Sequence, residues 1–239
     1  MVHPLQRQID AEGDADDAAA LARYFQVRPG GYGEGDVFVG VRLSRLRQLV
    51  RPYRTEPFRP EEWLPVLHSP VHEHRLAVLV LMSERARRGD PAERALLAEH
   101  YLAETRWIDN WDLVDASAGP VLGGRLLDDD GDSGVLDRLA GSDRLWDRRI
   151  AIVATQQLIF AGRTADTYRI ARLLLTDRED LIHKAVGWML REAGKRVDEG
   201  ELLAFLDEHA ARMPRTMLRY AVERLDPDTR RDLMARRAG

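Results

Sequence analysis

Three cations recur at one spacing. Arg149, Lys184 and Arg219 stand 35 residues apart, inside the apolar-periodic runs R-I-A-I-V-A-T-Q-Q, K-A-V-G-W-M-L-R-E and R-Y-A-V-E-R-L. Arg75, in H-R-L-A-V-L-V-L-M, lies close to two such periods before Arg149. A two-helix unit at this period marks an α-solenoid, because one pair cannot bury its apolar face alone and must stack on the next. The expectation is therefore an all-α chain, one repeat domain over residues 1–239, coiled into a superhelix. The second helix of each pair would line a concave, cationic face. Pairing with acids or capping of neighbouring helix ends explains one such cation better than it explains three in register.

Helix signals support this reading. Residues 1–14 read as a loose arm or a first helical turn, and Ala15 to Val27 is helical by composition. Further helices are expected at Arg45 to Tyr53, Glu61 to Leu67, Pro70 to about Arg88 and Pro91 to about Glu104. Proline at a first turn, acids behind it and Gly89 as a stop set these limits. A Trp-rich helix follows from about Ile108 to Leu127, loosened near Gly119-Pro120, then the acidic turn Asp128 to Asp132 and a short helix to about Leu139. Ser142 or Asp143 caps a helix ending near Ala161-Gly162. The remaining helices are expected at Thr164–Leu175, Glu179–Ala193, Asp198–His209, Pro214–Leu225 and Asp228–Arg237. No alternating strand pattern of useful length occurs.

Composition narrows the chemistry. There is no Cys, which excludes disulfides, thiolate metal sites and a Cys nucleophile. No stretch approaches the roughly 18 consecutive apolar residues of a membrane span, and the acidic N-terminus is no secretory signal. A cytoplasmic monomer with no membrane partner is the expectation. The net charge of −4 hides an asymmetry: residues 1–140 carry 17 Lys+Arg against 24 Asp+Glu, whereas residues 141–239 carry 19 against 16. Nearly every cation is Arg, whose planar fork bonds two phosphate oxygens at once. A concave cationic face would suit a phosphate backbone, and its candidate cations are Arg149, Lys184, Arg191, Arg212, Arg215 and Arg219. The loop Arg28 to Asp36 (R-P-G-G-Y-G-E-G-D) lacks the preceding strand and following helix that phosphate-binding glycines require, so a flexible connection is expected there.

The stretch Trp107 to Asp115, W-I-D-N-W-D-L-V-D, holds two of the five Trp and three carboxylates. On a helix Trp111 and Asp115 share a face, with Trp107 a turn earlier. Trp188 stands one turn after Lys184. Indole faces attract cations by ~0.5–2 kcal/mol each, and a carboxylate beside them strengthens the site. Such a site also stabilises a cation that develops only in a transition state. Asp109 and Asp112 read as structural, and Trp63 and Trp146 as packing residues. His72 and His74 diverge on a helix, against a zinc pair. Ser117 lacks the context of a hydrolase nucleophile.

The segments W-D-L-V-D (Trp111 to Asp115), R-L-W-D-R-R-I-A-I (Arg144 to Ile152) and K-A-V-G-W-M-L-R-E (Lys184 to Glu192) resemble the AlkD-like family of DNA alkylation repair enzymes. The helix at His72 to Leu81 and the Tyr24 helix also fit. The resemblance implies a HEAT-like repeat DNA glycosylase that needs no metal or other cofactor. It would excise positively charged N3- or N7-alkylated purines from double-stranded DNA in base excision repair. It further implies Asp115 as catalytic carboxylate, Trp111 and Trp188 flanking the lesion nucleotide, Arg149 holding the backbone, and Tyr24 among the DNA-binding residues. A bacterial protein of this kind would be nucleoid-associated. The competing reading is a non-catalytic HEAT-type scaffold for DNA or a protein, against which the carboxylate between indoles argues.

Overall fold

Four prolines begin helices. Pro4, Pro60, Pro91 and Pro227 each occupy a first helical position, where a missing N–H costs nothing and the fixed φ suits the helix. The side chains of Asp14, Asp90, Asp198 and Asp226 cap four N-termini by accepting backbone N–H bonds. The computed structural model describes residues 2–128 and 131–236. Among these the chain is all-α, with fourteen α-helices. The only extended pairing among them is an isolated bridge between Val37 and Val71. Residues 129 and 130 of the expected acidic turn, and Arg237 at the last helix end, lie outside the described residues.

The helices gather into two compact units, residues 1–121 and 122–239. The first holds α1 (Pro4–Ala11), α2 (Ala15–Tyr24), α3 (Leu43–Val50), α4 (Pro60–Leu67), α5 (His72–Ala86), α6 (Pro91–Ala103) and α7 (Trp111–Ala118). Residues 1–14, read as a loose arm or first turn, contain helix α1, whose Leu5 and Ile9 are fully buried. The helix expected to run to Tyr53 ends at Val50 and tightens into a 3₁₀ turn, Arg51–Thr55. Pro52 lacks the N–H that would continue the α pattern. The expected Trp-rich helix from Ile108 to Leu127 is broken. A 3₁₀ turn covers Thr105–Trp107, α7 begins only at Trp111, and a five-residue π-turn spans Gly119–Gly123. Asn110 makes the break: its backbone is extended (φ −143°, ψ 155°) and its side chain accepts the Trp111 N–H at 2.8 Å.

Helix α5 is the axle of this unit, packed against α1, α3, α4, α6 and α7. Every residue from His72 to Ser83 is buried, and the first four are polar: His72, Glu73, His74 and Arg75. A buried charge needs a partner, and each of the four has one from a different part of the unit. His72 bridges Asp36 (Nδ1, 2.8 Å) and Asp112 (Nε2, 2.8 Å). The Glu73 carboxylate accepts the backbone N–H groups of Val39, Gly40 and Val41 at 2.8–3.2 Å. His74 meets Asp10 of α1 at 2.9 Å. Arg75 donates to Asp36 at 2.6 Å and to Asp109 at 3.1 Å. The glycine-rich loop is therefore no flexible connection. Asp36 at its end is clamped by His72, Arg75 and Asn110, and the strand-like stretch after it is held by Glu73. Gly40, at φ +91°, turns the chain where an added Cβ would lie 2.0 Å from the Asp14 carbonyl oxygen.

The second unit holds α8 (Gly134–Ala140), α9 (Leu145–Phe160), α10 (Ala165–Leu173), α11 (Asp180–Arg196), α12 (Glu199–His209), α13 (Arg215–Ala221) and α14 (Pro227–Ala235). Here the helical-pair stack is plain. Helix α11 packs on both α9 and α13, while α8 and α10 pack on each other and on α9. Arg149, Lys184 and Arg219 lie on α9, α11 and α13, the second helix of successive pairs, and each is the fifth residue of its helix. The 35-residue register is thus a structural repeat. The glycine of K-A-V-G-W lets two of these helices touch: a Cβ on Gly187 would lie 2.4 Å from the Met217 carbonyl oxygen of α13.

Two outcomes follow for stability. Gly187→Ala improves helix propensity by up to ~1 kcal/mol, yet it should destabilise by about 1–3 kcal/mol through overpacking; a rise in melting temperature would refute the close contact. Burial alone would lower the His72 pKa, but its hydrogen bonds to Asp112 and Asp36 outweigh burial and push it to about 9. A raised folded pKa gives stability that is complete below the unfolded value of about 6.5 and fades as pH climbs toward 9. Urea unfolding between pH 6 and 9.5 should show that loss in the wild type. His72→Gln should cost about 3 kcal/mol at pH 6 and flatten the slope; equal slopes would assign the pH dependence to other groups.

Candidate functional site

The three carboxylates of W-I-D-N-W-D-L-V-D have different surroundings. Asp109 pairs with Arg75, and its carboxyl is held above the usual range, mainly by burial, with the Arg75 charge opposing and Asp36 adding to the rise. Asp112 accepts from His72 Nε2 with one oxygen and from the Leu113 N–H with the other. Asp115 stands one helical turn beyond Trp111 on α7, half-buried. Asp36, behind this cluster, is held below the usual carboxylate range. Its burial acts in the opposite direction, and the hydrogen bonds and charges of His72 and Arg75 overcome it.

Trp111 opens α7 and is fixed from the other side by the glycine-rich loop. Its indole N–H donates to the Tyr32 hydroxyl at 3.3 Å, and that hydroxyl donates to the Tyr24 carbonyl at 3.1 Å. Phe25 stacks on the indole at 5.2 Å with planes 26° apart, and Tyr24 meets it edge-on at 5.9 Å. Tyr24 itself is 64% exposed. The ring therefore has one face and one edge held by protein. This unit brings together Tyr24, Trp111 and Asp115 of the expected site residues.

Trp107 belongs elsewhere. It lies in the 3₁₀ turn, off the α7 stripe, stacked on His68 at 5.0 Å with the Arg106 guanidinium over its ring. Trp63 and Trp146 are buried packing residues. His72 and His74 are claimed separately by the two clusters above, and Ser117 is buried with its hydroxyl bonded to the Leu113 carbonyl and Tyr101.

The second unit carries the other expected residues. Arg149 is only 5% exposed, and a guanidinium N–H donates to the Leu181 carbonyl at 2.6 Å. Lys184 pairs with Asp180 at 2.7 Å. Trp188, half-buried, is one turn after Lys184 on α11. Arg191 is engaged with Glu192 and Glu223. Arg212, Arg215 and Arg219 are exposed, Arg212 bonding His209 Nδ1 and Arg215 the Met234 carbonyl. The register thus holds along the repeats while the exposure of its cations rises from α9 to α13.

Sequence reasoning missed Asp36, Glu73, Tyr32 and Asn110, which position the Trp111 turn. The available signal was weak: a carboxylate directly before the short apolar run 37–41, and an Asn directly before the Trp.

Comparison with known proteins supplies the wider context. A family model described as DNA alkylation repair enzyme matches residues 5–225. A solved structure, that of a predicted DNA alkylation repair enzyme from Enterococcus faecalis, superposes with a TM-score of 0.71 at 18% identity. The match covers 90% of this chain and 97% of that one, and at this identity it speaks for the fold. None of the curated proteins compared with the chain matches it. With the family model spanning nearly its whole length, and the helical-pair fold beside it, the chain belongs to the DNA alkylation repair enzyme family.

Proposed function

We propose that this family member is a DNA glycosylase that excises positively charged N3- or N7-alkylated purines from duplex DNA. The observation that carries this reading is the α7 turn, where a half-buried carboxylate follows a clamped indole by four residues. A carboxylate one helical turn beyond an indole can face a cation that forms beside that ring.

The chemistry asks for little. An alkylated purine is already cationic, so cleavage of its N-glycosidic bond sends the bonding electrons onto the base, which leaves neutral. The positive charge moves to C1′ of the sugar. A carboxylate stabilises that developing oxocarbenium more strongly than it stabilises the ground state, which is the condition for acceleration. Asp115 takes this part and accepts the proton of the water that attacks C1′. The Trp111 face adds cation–π attraction to the same charge. Trp188 and Arg149 keep the parts that the resemblance gives them, Trp188 beside the lesion nucleotide and Arg149 at the backbone. Since Arg149 already bonds a carbonyl, its variants test folding as well as binding.

The deciding experiment is single-turnover excision from a duplex containing one N7-methylguanine. Wild-type protein should generate abasic sites. Asp115→Asn should slow the reaction by about 100-fold or more while binding undamaged duplex as well as wild type or better. Absence of abasic sites with wild-type protein refutes the glycosylase reading, and an Asn variant of equal rate removes Asp115 from the mechanism.

A further inference from the structure

The N-terminal part of the sequence is acidic, yet one cleft of unit 1 inverts that balance. It has a volume of about 300 Å³ and is lined by Arg47, Gln48, Arg51 and Arg54, with the buried Val50 and Val80 and with Glu84 of α5. Local structure aligns the arginines. Arg47 and Arg51 are one α-turn apart at the end of α3. Beyond Val50 the chain tightens to 3₁₀, which repeats every three residues, so Arg54 falls on the same side as Arg51. Arg85 pins this turn by donating to the carbonyls of Arg54 and Glu56.

Among the described residues, Arg47, Arg51 and Arg54 form no ion pair. The one carboxylate lining the cleft, Glu84, is shared by Arg87 at 3.8 Å and Arg88 at 3.6 Å. The Arg87 guanidinium is held below its usual range; burial is the main cause, Glu84 opposes it, and the neighbouring Arg47 charge adds to it. Like charges are therefore gathered around a concavity without matching anions. An arginine cluster of this kind offers forked N–H donors to an oxyanion with several equivalent oxygens, which describes a phosphate better than a carboxylate.

We infer that the Arg47–Arg51–Arg54 cleft is a phosphate-binding subsite, and that it takes a phosphodiester of the DNA backbone. The choice of DNA as the source rests on the function proposed above; the phosphate chemistry does not. The site lies apart from the Trp111 turn in sequence and lining, and it lets the acidic half of the chain contribute to binding.

The test compares the full-length wild type with an R47Q/R51Q/R54Q variant and an R47K/R51K/R54K variant, each checked by circular dichroism and melting temperature. Binding of an undamaged fluorescent duplex is measured across a salt series, and inorganic pyrophosphate is titrated separately by calorimetry. The Gln variant should lower the slope of log K against log salt by about 2–3, at ~0.9 per lost phosphate contact, and the Lys variant should restore it. A wild type with steep salt dependence and a Gln variant of equal slope would overturn the inference while leaving the glycosylase reading intact. If wild type fails to bind duplex yet binds pyrophosphate, and the Gln variant does not, the subsite stands with a free phosphate as its source, and the DNA reading falls instead. If the Gln variant binds pyrophosphate and duplex as wild type does, the cleft is no phosphate site.

Discussion

Four consecutive polar side chains, buried at the start of one helix, hold the first unit together. His72, Glu73, His74 and Arg75 cannot be placed in an apolar interior singly, and their partners come from several segments: Asp36 of the glycine-rich loop for both His72 and Arg75, the backbone of 39–41 for Glu73, α1 for His74, and Asp112 and Asp109 at α7 and its approach. The helix behaves as a hub whose electrostatic demands fix where four otherwise unrelated stretches must lie. Hydrophobic burial supplies most of the driving force in any such core, but it is not directional. Here the direction comes from the polar pairings, and removal of a partner leaves a buried polar group short of a hydrogen bond rather than a small cavity.

That hub also prepares the α7 turn. Two of the three carboxylates near the turn, Asp109 and Asp112, face the hub and are held by Arg75 and His72. The same network reaches Asn110 through Asp36, and Asn110 sets the residue at which α7 begins. The indole is then secured by Tyr32 and Phe25. On the glycosylase reading proposed above, a turn held this way would need little reorganisation as the sugar cation forms, which is what preorganised electrostatic catalysis relies on.

The sequence made the repeat legible because helical spacing and a fixed period are local and additive. The cations at 149, 184 and 219 pointed to stacked pairs, and each proved to hold the same position in its helix. Legibility failed where a long-range contact decides local structure. Nothing within a few residues of Asp36 announces His72 and Arg75, 36 and 39 residues on, so the glycine-rich loop looked unanchored. The Trp-rich stretch read as one helix because its apolar spacing is helical throughout, whereas Asn110 at its cap overrode the pattern. The exposure of the register cations was equally hidden, since Arg149 is committed to a carbonyl of α11. That Trp111 and Asp115 share one helix follows from local spacing alone, and both lie on α7.

The shared fifth position has a consequence for how such a chain can vary. Residues added between helices leave each cation on the same side of its helix, because the count restarts at every N-terminus. One residue added within a first turn rotates everything after it by about 100°, carrying the cation out of line and, on α11, turning Gly187 away from α13. Length change should therefore be tolerated in the connectors and disruptive in the opening turns, so the repeat is defined by a set of phases rather than by a fixed distance along the chain.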